Sequence, residues 1–529
     1  MKAINTSIYD FPTLITGGYV YVDKTAQLYE LAKPGADMLY YLPRPRRFGK
    51  SLMISTLKAL FQGKRELFRG LKIENTDWNW EKEVYPVLHL DMSQASAGCR
   101  EDFRSNLLNL VEARCRDMGV SFDSKKTAGA NFLNLLESLH EKSPNGKYVL
   151  LIDEYDAPIA KLLDSEKGRA ELADMRMELH DFYVQAKSHC GDMRFLMVTG
   201  VSKFAKTSIF SAFNNPVDLA LDARVADLVG YTPEEMETYF HEHIKSFADV
   251  NGLSYDAAFG DLLRWYDGYQ FAPEKQVKVI NPVSLGRALA NGVIRNYWEA
   301  TAGSTLIFDA LKAKNAAPVD FAKKFNTVTL DSPDALSAPA VALLYQGGYL
   351  TIDRRIDGET VVLKIPNEEV RNSLYRGYVS SLFGTDFELD DFSLTAKDTA
   401  SELFTDETGG KFSVLLKTAF AKIPHEWLDK DEKEVKRYFL AFMVFARAEV
   451  NSEEQHSLGR PDSVVKTEKA VYIVEFKYGK SAEAALAQCR EKRYADAYVA
   501  DGRHVVYVGV NYNPTVRTVD GVRTEVAVG

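Results

Sequence analysis

Between residues 38 and 61 a short apolar run, a Gly-Lys-Ser turn and a helical pattern follow one another, and few folds accommodate that order. The turn reads Arg44-Pro45-Arg46-Arg47-Phe48-Gly49-Lys50-Ser51. A strand that ends in such a turn and opens a helix is the context a phosphate-binding loop (P-loop) needs. Backbone N–H groups at the turn and the helix N-terminus attract phosphate oxygens. Lys50 is expected to reach the β- and γ-phosphates and Ser51 to ligate Mg²⁺, with Arg46, Arg47, Phe48 and Gly49 completing the nucleotide-binding set. The pattern departs from GxxxxGK[ST] at its first glycine, where Arg44 stands. An Arg adopts glycine-only backbone angles at a cost, so a loop of altered shape is expected.

A second motif strengthens the first. Tyr148-Val149-Leu150-Leu151-Ile152-Asp153-Glu154 is an apolar strand that ends in two acids. Asp153 is expected to hold the Mg²⁺ shell and Glu154 to polarise the attacking water. Each motif alone has a bland reading, a basic turn or a buried strand with solvated ends. Together, in this order, they favour nucleotide binding. A further strand at 194–199 leads into Gly200, and Thr199 or Ser202 is placed to sense a γ-phosphate, although a plain strand-end turn fits as well.

Far along the chain, Gly459-Arg460-Pro461-Asp462 precedes Ile473-Val474-Glu475-Phe476-Lys477. Glu475 and Lys477 lie two apart on a strand and therefore point to one face. If the strand opened by Asp462 pairs with it, two carboxylates hold a divalent cation and Lys477 orients a hydrolytic water. This is the PD-(D/E)xK nuclease arrangement. Gln488 and Tyr494 on the following helix are polar neighbours, and Glu434 or Glu449 is a candidate third ligand. His241-Glu242-His243 has a spacing that divides its imidazoles between helix faces, so no HExxH zinc site is expected. No GxSxG elbow and no GxGxxG fingerprint occurs at a strand–helix junction. The aromatic cluster at 265–269 reads as packing between subdomains rather than as a base-stacking platform.

Between these motifs, residues 231–315 are mostly helical, opening on the cap-like Thr232-Pro233-Glu234-Glu235. A helix at 334–346, then strand-like runs at 349–352 and 361–365 around Asp357-Gly358, outline a winged-helix module. Residues 386–407 carry eight acids and one base, which marks a boundary. The whole chain of 529 residues balances 65 Lys+Arg against 74 Asp+Glu, a net of −9, so a surface coated in nucleic acid is not expected. That average hides a basic block at 44–72, with nine bases and one acid, and a nearly neutral end at 449–529, with eleven bases and twelve acids. With 46% hydrophobic and 26% charged residues, the chain is an ordinary globular protein. Four scattered cysteines suit a reducing compartment better than a disulfide or zinc scaffold. Residues 1–10 lack a signal-peptide pattern, and the apolar run 438–446 is too short to span a bilayer.

Read together, these stretches resemble one family, the bacterial AAA-ATPase-like proteins that carry a C-terminal PD-(D/E)xK nuclease-like domain. The resemblance runs through Tyr21-Val22-Asp23-Lys24-Thr25, residues 44–51, 151–156, 210–215, 266–271, Asn281-Pro282, 459–462, 475–477 and 488–494. The first of these selects the family, because loop and nuclease motifs also occur elsewhere. The family's P-loop resembles residues 44–51, so Arg44 is in keeping with it. The resemblance implies an ATP-binding module coupled to a metal-dependent nuclease fold, in a setting of mobile-element conflict that includes phage defence. One departure is Ser463 after Asp462, where the family more often has an apolar residue. It bears on activity rather than on fold.

The expected fold is therefore an α/β multidomain chain with a P-loop NTPase core (1–220) and a helical, winged-helix-like middle (221–385). An acidic linker (386–410) precedes a C-terminal PD-(D/E)xK restriction-endonuclease-like α/β domain (411–529). Glu154, Asp462, Glu475 and Lys477 are the expected catalytic residues. Ser51, Asp153, Asp462 and Glu475 are the expected metal ligands, for Mg²⁺, with Mn²⁺ a second candidate at the nuclease site. The expected protein binds and hydrolyses ATP and acts on DNA in the cytoplasm, without a membrane partner, and homo-oligomers are conceivable. A second reading is a nucleotide-switched nucleic-acid-binding or sensing module without cleavage. A third is an ATP-driven assembly factor with no DNA affinity.

Overall fold

The computed structural model describes residues 1–163, 166–203, 213, 216–298, 307–308, 324–330, 332, 338–383, 405–421, 432–446, 449–452 and 459–528. They pack as two compact units, 1–306 with 321–371, and 307–320 with 372–529.

The first unit is built on five strands, β1 (Leu39–Pro43), β2 (Val87–Asp91), β3 (Tyr148–Asp153), β4 (Met193–Gly200) and β5 (Val217–Asp218). They form one parallel sheet in the order β2-β3-β4-β1-β5. A parallel sheet covered on both faces wants continuous apolar strands. β3 meets that demand in full, since all its residues are buried. β4 lies between β1 and β3, so the strand before the Gly-Lys-Ser turn and the strand ending in Asp153 are not neighbours.

The helices α1 (Lys50–Phe61), α2 (Arg100–Asp117) and α3 (Ala128–Lys142) follow β1 and β2. α2 and α3 each bury an i, i+3/i+4 stripe, Phe103, Leu107, Leu110 and Val111 on the first, Phe132, Leu135, Leu136 and Leu139 on the second. Both stripes join one core with Leu88, Leu90, Leu150 and Ile152 of the sheet. Burying one such side chain is worth about 1.5–3 kcal/mol.

Three further helices, α4 (Pro233–Asn251), α5 (Tyr255–Tyr266) and α6 (Pro282–Asn291), share a second core with Val22. α4 starts on a capping box between Thr232 and Glu235, as its sequence signature requires. Then come α7 (Ala340–Gln346) and the antiparallel hairpin of β6 (Thr351–Arg355) and β7 (Thr360–Lys364), with a short strand Lys324–Asn326 on the β7 side. Of the helix expected at 334–346, residues 334–337 lie outside the described residues. A helix, α8 (Glu368–Phe383), follows the hairpin.

The second unit holds α9 (Gly410–Ala421) and α10 (Glu432–Phe445). Five strands follow, β8 (Glu449–Ser452), β9 (Ser463–Lys466), β10 (Ala470–Tyr478), β11 (His504–Asn513) and β12 (Thr518–Val528). They form one sheet in the order β12-β11-β10-β9-β8, mixed because only β10 and β11 run parallel. α11 (Ala482–Glu491) crosses over between those two. Most of the acidic stretch, 386–404, lies outside the described residues. At its end, Asp406 is buried and accepts from the backbone N–H groups of Gly409 and Phe412, fixing the entry to α9. Among the described residues, no helix is long and apolar enough to cross a membrane.

Candidate functional site

The Gly-Lys-Ser turn lies at the C-terminal edge of the parallel sheet, where open α/β sheets place their ligands. Its left-handed backbone angles fall at Arg47 (φ 67°) and Gly49 (φ 94°), not at Arg44. Arg44 does a different job. It is 2% exposed, and its guanidinium donates to the carbonyls of Pro43 (2.9 Å), Ala220 (2.9 Å), Leu219 (3.3 Å) and Val225 (3.4 Å). It also lies 4.4 Å over the Phe271 ring. Arg44 thus ties the turn to the segment after β5.

Lys50 is buried, and its Nζ donates to the carbonyls of Arg44 and Pro45, both at 2.9 Å. Burial lowers its pKa, opposed by the carboxylates of Asp153 and Glu154. At the end of β3, Asp153 accepts hydrogen bonds from Thr199 Oγ1 and from Glu154 N (3.0 Å). Glu154 takes the left-handed region (φ 49°), an angle that non-glycine residues adopt at a cost, and burial raises its carboxyl pKa. Of the two sensor candidates, Thr199 therefore reaches Asp153, whereas the Ser202 hydroxyl is committed to Asp156 at 2.6 Å.

Arg46, Arg47, Lys50, Ser51, Asp153 and Glu154 line one cleft of about 740 Å³. Hard oxygen donors at Ser51 and Asp153 beside a buried ammonium suit Mg²⁺ and a polyphosphate. His89 and Asp91 line the same cleft, and sequence reasoning passed over them. Asp91 pairs in register with Asp153, and His89 Nε2 is buried without a hydrogen-bond partner. Two polar residues in the otherwise apolar strand β2 were the available signal.

Phe48 does not face that cleft. It is 1% exposed and packs edge-on against Tyr269 (4.8 Å) and Phe271 (5.3 Å), so Tyr269 of the 265–269 cluster packs against the turn. Phe48, Met53, Val22, Ile8 and Phe240 line a neighbouring apolar cavity, which shares Tyr9, Arg47 and Gly49 with the polar cleft. Arg47 donates to the Tyr297 carbonyl (2.8 Å), and the N–H groups of Tyr297 and Trp298 donate to Glu369. Burial pushes the Glu369 carboxyl up to about 7.

The Tyr21–Thr25 motif proves to be a brace. Lys24 Nζ bonds the Asp227 carbonyl (2.7 Å) and Glu235 (2.5 Å), while Asp23 accepts from the N–H groups of Thr25 (2.9 Å) and Lys72 (2.7 Å). Of the stretch 210–215, only residue 213 is described.

The second unit gathers its own cluster. β9 pairs antiparallel with β10, Ser463 opposite Val474, which brings Asp462 beside Glu475. Asp462 Oδ2 accepts from Phe476 N at 2.8 Å. Lys477 Nζ lies 3.1 Å from Glu475 Oε1, which also accepts from Gln488 Nε2 on α11. Tyr494 donates to the Arg460 carbonyl at 3.1 Å, closing the edge of the cluster. Glu475 is 3% exposed, and burial, reinforced by Asp462, pushes its carboxyl up to about 7. Its Oε2 is buried without a hydrogen-bond partner. A buried carboxylate oxygen without a partner costs free energy that a cation would recover, so a hard divalent ion fits this pair. The structure also places an unforeseen residue here: Lys436 of α10, with Nζ 2.6 Å from Asp462 Oδ1. The side chains of Glu434 and Glu449 lie outside the described set.

Comparison with known proteins agrees with this division. Residues 5–210 match the family described as "Predicted AAA-ATPase", and residues 430–521 match the "PD-(D/E)XK nuclease superfamily". The chain is 31% identical over 542 residues to a protein of Azotobacter chroococcum mcd 1 described as "Uncharacterized protein in vnfD 5'region". That match covers 98% of each chain.

Proposed function

The chain belongs to the AAA-ATPase-like proteins with a C-terminal PD-(D/E)XK nuclease superfamily domain, and on that premise we propose that it hydrolyses ATP and cleaves DNA, with the nucleotide state gating the cleavage. The single observation that carries the nuclease half is the orphaned Glu475 Oε2 in a cluster with Asp462, Lys477 and Gln488. When bound there, a divalent ion supplies Lewis-acid activation of the phosphodiester. Asp462 and Glu475 would hold it. Gln488 and Lys477 fix the Glu475 carboxylate, and the Lys477 ammonium orients the attacking water.

At the other centre, Ser51 and Asp153 would hold Mg²⁺. Lys50, Arg46 and Arg47 neutralise phosphate charge, and Glu154 accepts a proton from the attacking water. The apolar cavity next to the cleft would take the base, since Tyr9, Arg47 and Gly49 border both spaces. The division into 1–220, 221–385, 386–410 and 411–529, the winged-helix-like character of the middle and a cytoplasmic role in phage defence belong to the same proposal.

Purified chain in Mg²⁺ or Mn²⁺ should turn over ATP and cut DNA, and Lys477→Ala should cut at least ~100-fold more slowly. Equal cleavage by Lys477→Ala contradicts the nuclease assignment. DNA left intact but bound in an ATP-dependent way would assign the chain to switching without cleavage.

A further inference from the structure

We infer that Lys436 is a further catalytic residue of the nuclease centre, supplying positive charge to the scissile phosphate beside Lys477 and the divalent ion. The inference rests on the nuclease reading above. Lys436 belongs to α10, a helix whose core-facing positions include Val435, Phe439 and Phe442. Its ammonium lies 2.6 Å from Asp462 Oδ1, with the side chain 21% exposed. Desolvating an ammonium costs free energy that ion pairing often fails to return in full. Stability alone therefore does not explain a lysine here.

Charge does. The described side chains of the centre are two carboxylates, Asp462 and Glu475, and two ammonium groups, Lys436 and Lys477, which sum to zero. A divalent ion raises the sum to +2. A phosphodiester carries one negative charge, and the five-coordinate phosphorus formed when the attacking water also gives up a proton to bulk solvent carries two. Among the described side chains, Lys436 brings the charge to a match for that dianion; without it they are one charge short. Preorganised charge aimed at a developing anion is usually the largest single contribution to catalysis. Asp462 serves as its anchor, itself fixed by Phe476 N at 2.8 Å.

The test uses the full chain, a short labelled DNA duplex and Mn²⁺, with Lys436→Met and Lys436→Arg. Lys436→Met should cut at least ~100-fold more slowly. Lys436→Arg, which keeps the charge, should stay closer to the parent. DNA affinity in Ca²⁺, spread over many phosphate contacts, should hardly move. Mn²⁺ should bind Lys436→Met at least as tightly as the parent, because a neighbouring positive charge has gone. A mere brace for Asp462 predicts the reverse, with weaker Mn²⁺ binding and a lower melting temperature. Parent-like cleavage by Lys436→Met, or weakened Mn²⁺ binding, overturns the inference. A parent that fails to cut DNA overturns the nuclease reading and this inference together.

Discussion

Arg44 stands where many phosphate-binding loops have glycine, yet its backbone needs no left-handed angle, and its buried guanidinium donates to four carbonyls. Restoring the glycine should therefore do harm. Arg44→Gly leaves those carbonyls without their donor and opens a cavity beside Phe271, and it should cost roughly 3 kcal/mol in denaturant unfolding. Glu369 permits a second prediction at this scale. Burial holds its carboxyl neutral up to about pH 7, against 4.5 for the free group. Between these values the native state keeps a proton that the unfolded state has released, so stability falls as pH rises through the window. The full drop is on the order of 3 kcal/mol. Glu369→Gln, which retains an acceptor for the N–H groups of Tyr297 and Trp298, should flatten melting temperature against pH over that range.

Elements reach the sites through close approach. Gly509 of β11 lies opposite Glu475 of β10, and a Cβ there would sit 2.2 Å from the Ala482 carbonyl at the start of α11. Gly509→Ala should push α11 away from the sheet, cost about 1–3 kcal/mol, and slow cleavage by moving Gln488 off Glu475. Unchanged stability and cleavage would contradict that account. Strands were legible in the sequence where physics imposes a simple pattern. Central parallel strands are continuously apolar, so β3 and β4 stand out, and the Glu475–Lys477 spacing fixes a shared face whatever the tertiary context. Lys436 was not legible, because a lysine on an amphipathic helix reads as solvent-facing until the fold shows which carboxylate it meets. Nor was the role of Arg44, since three of the four carbonyls it binds lie at 219–225, far along the chain. His89 and Asp91 carried only the weak signal of polar residues in a short strand.

For the whole molecule, net charge is a poor guide to partners. Residues 44–72 sum to +8 within a chain of −9, yet two of those bases, Arg44 and Lys50, are buried at 2% and 5% exposure and bind carbonyls. The two proposed centres for phosphate chemistry, one in each compact unit, say more than the average does. In the proposed function the first governs the second. It is tested by the rate of DNA cleavage in Mn²⁺, with and without ATP, for the parent and for Lys50→Ala. Under such gating, ATP should change the parent's rate and leave Lys50→Ala unresponsive. A parent that hydrolyses ATP yet cuts DNA at one rate whether or not ATP is present contradicts it.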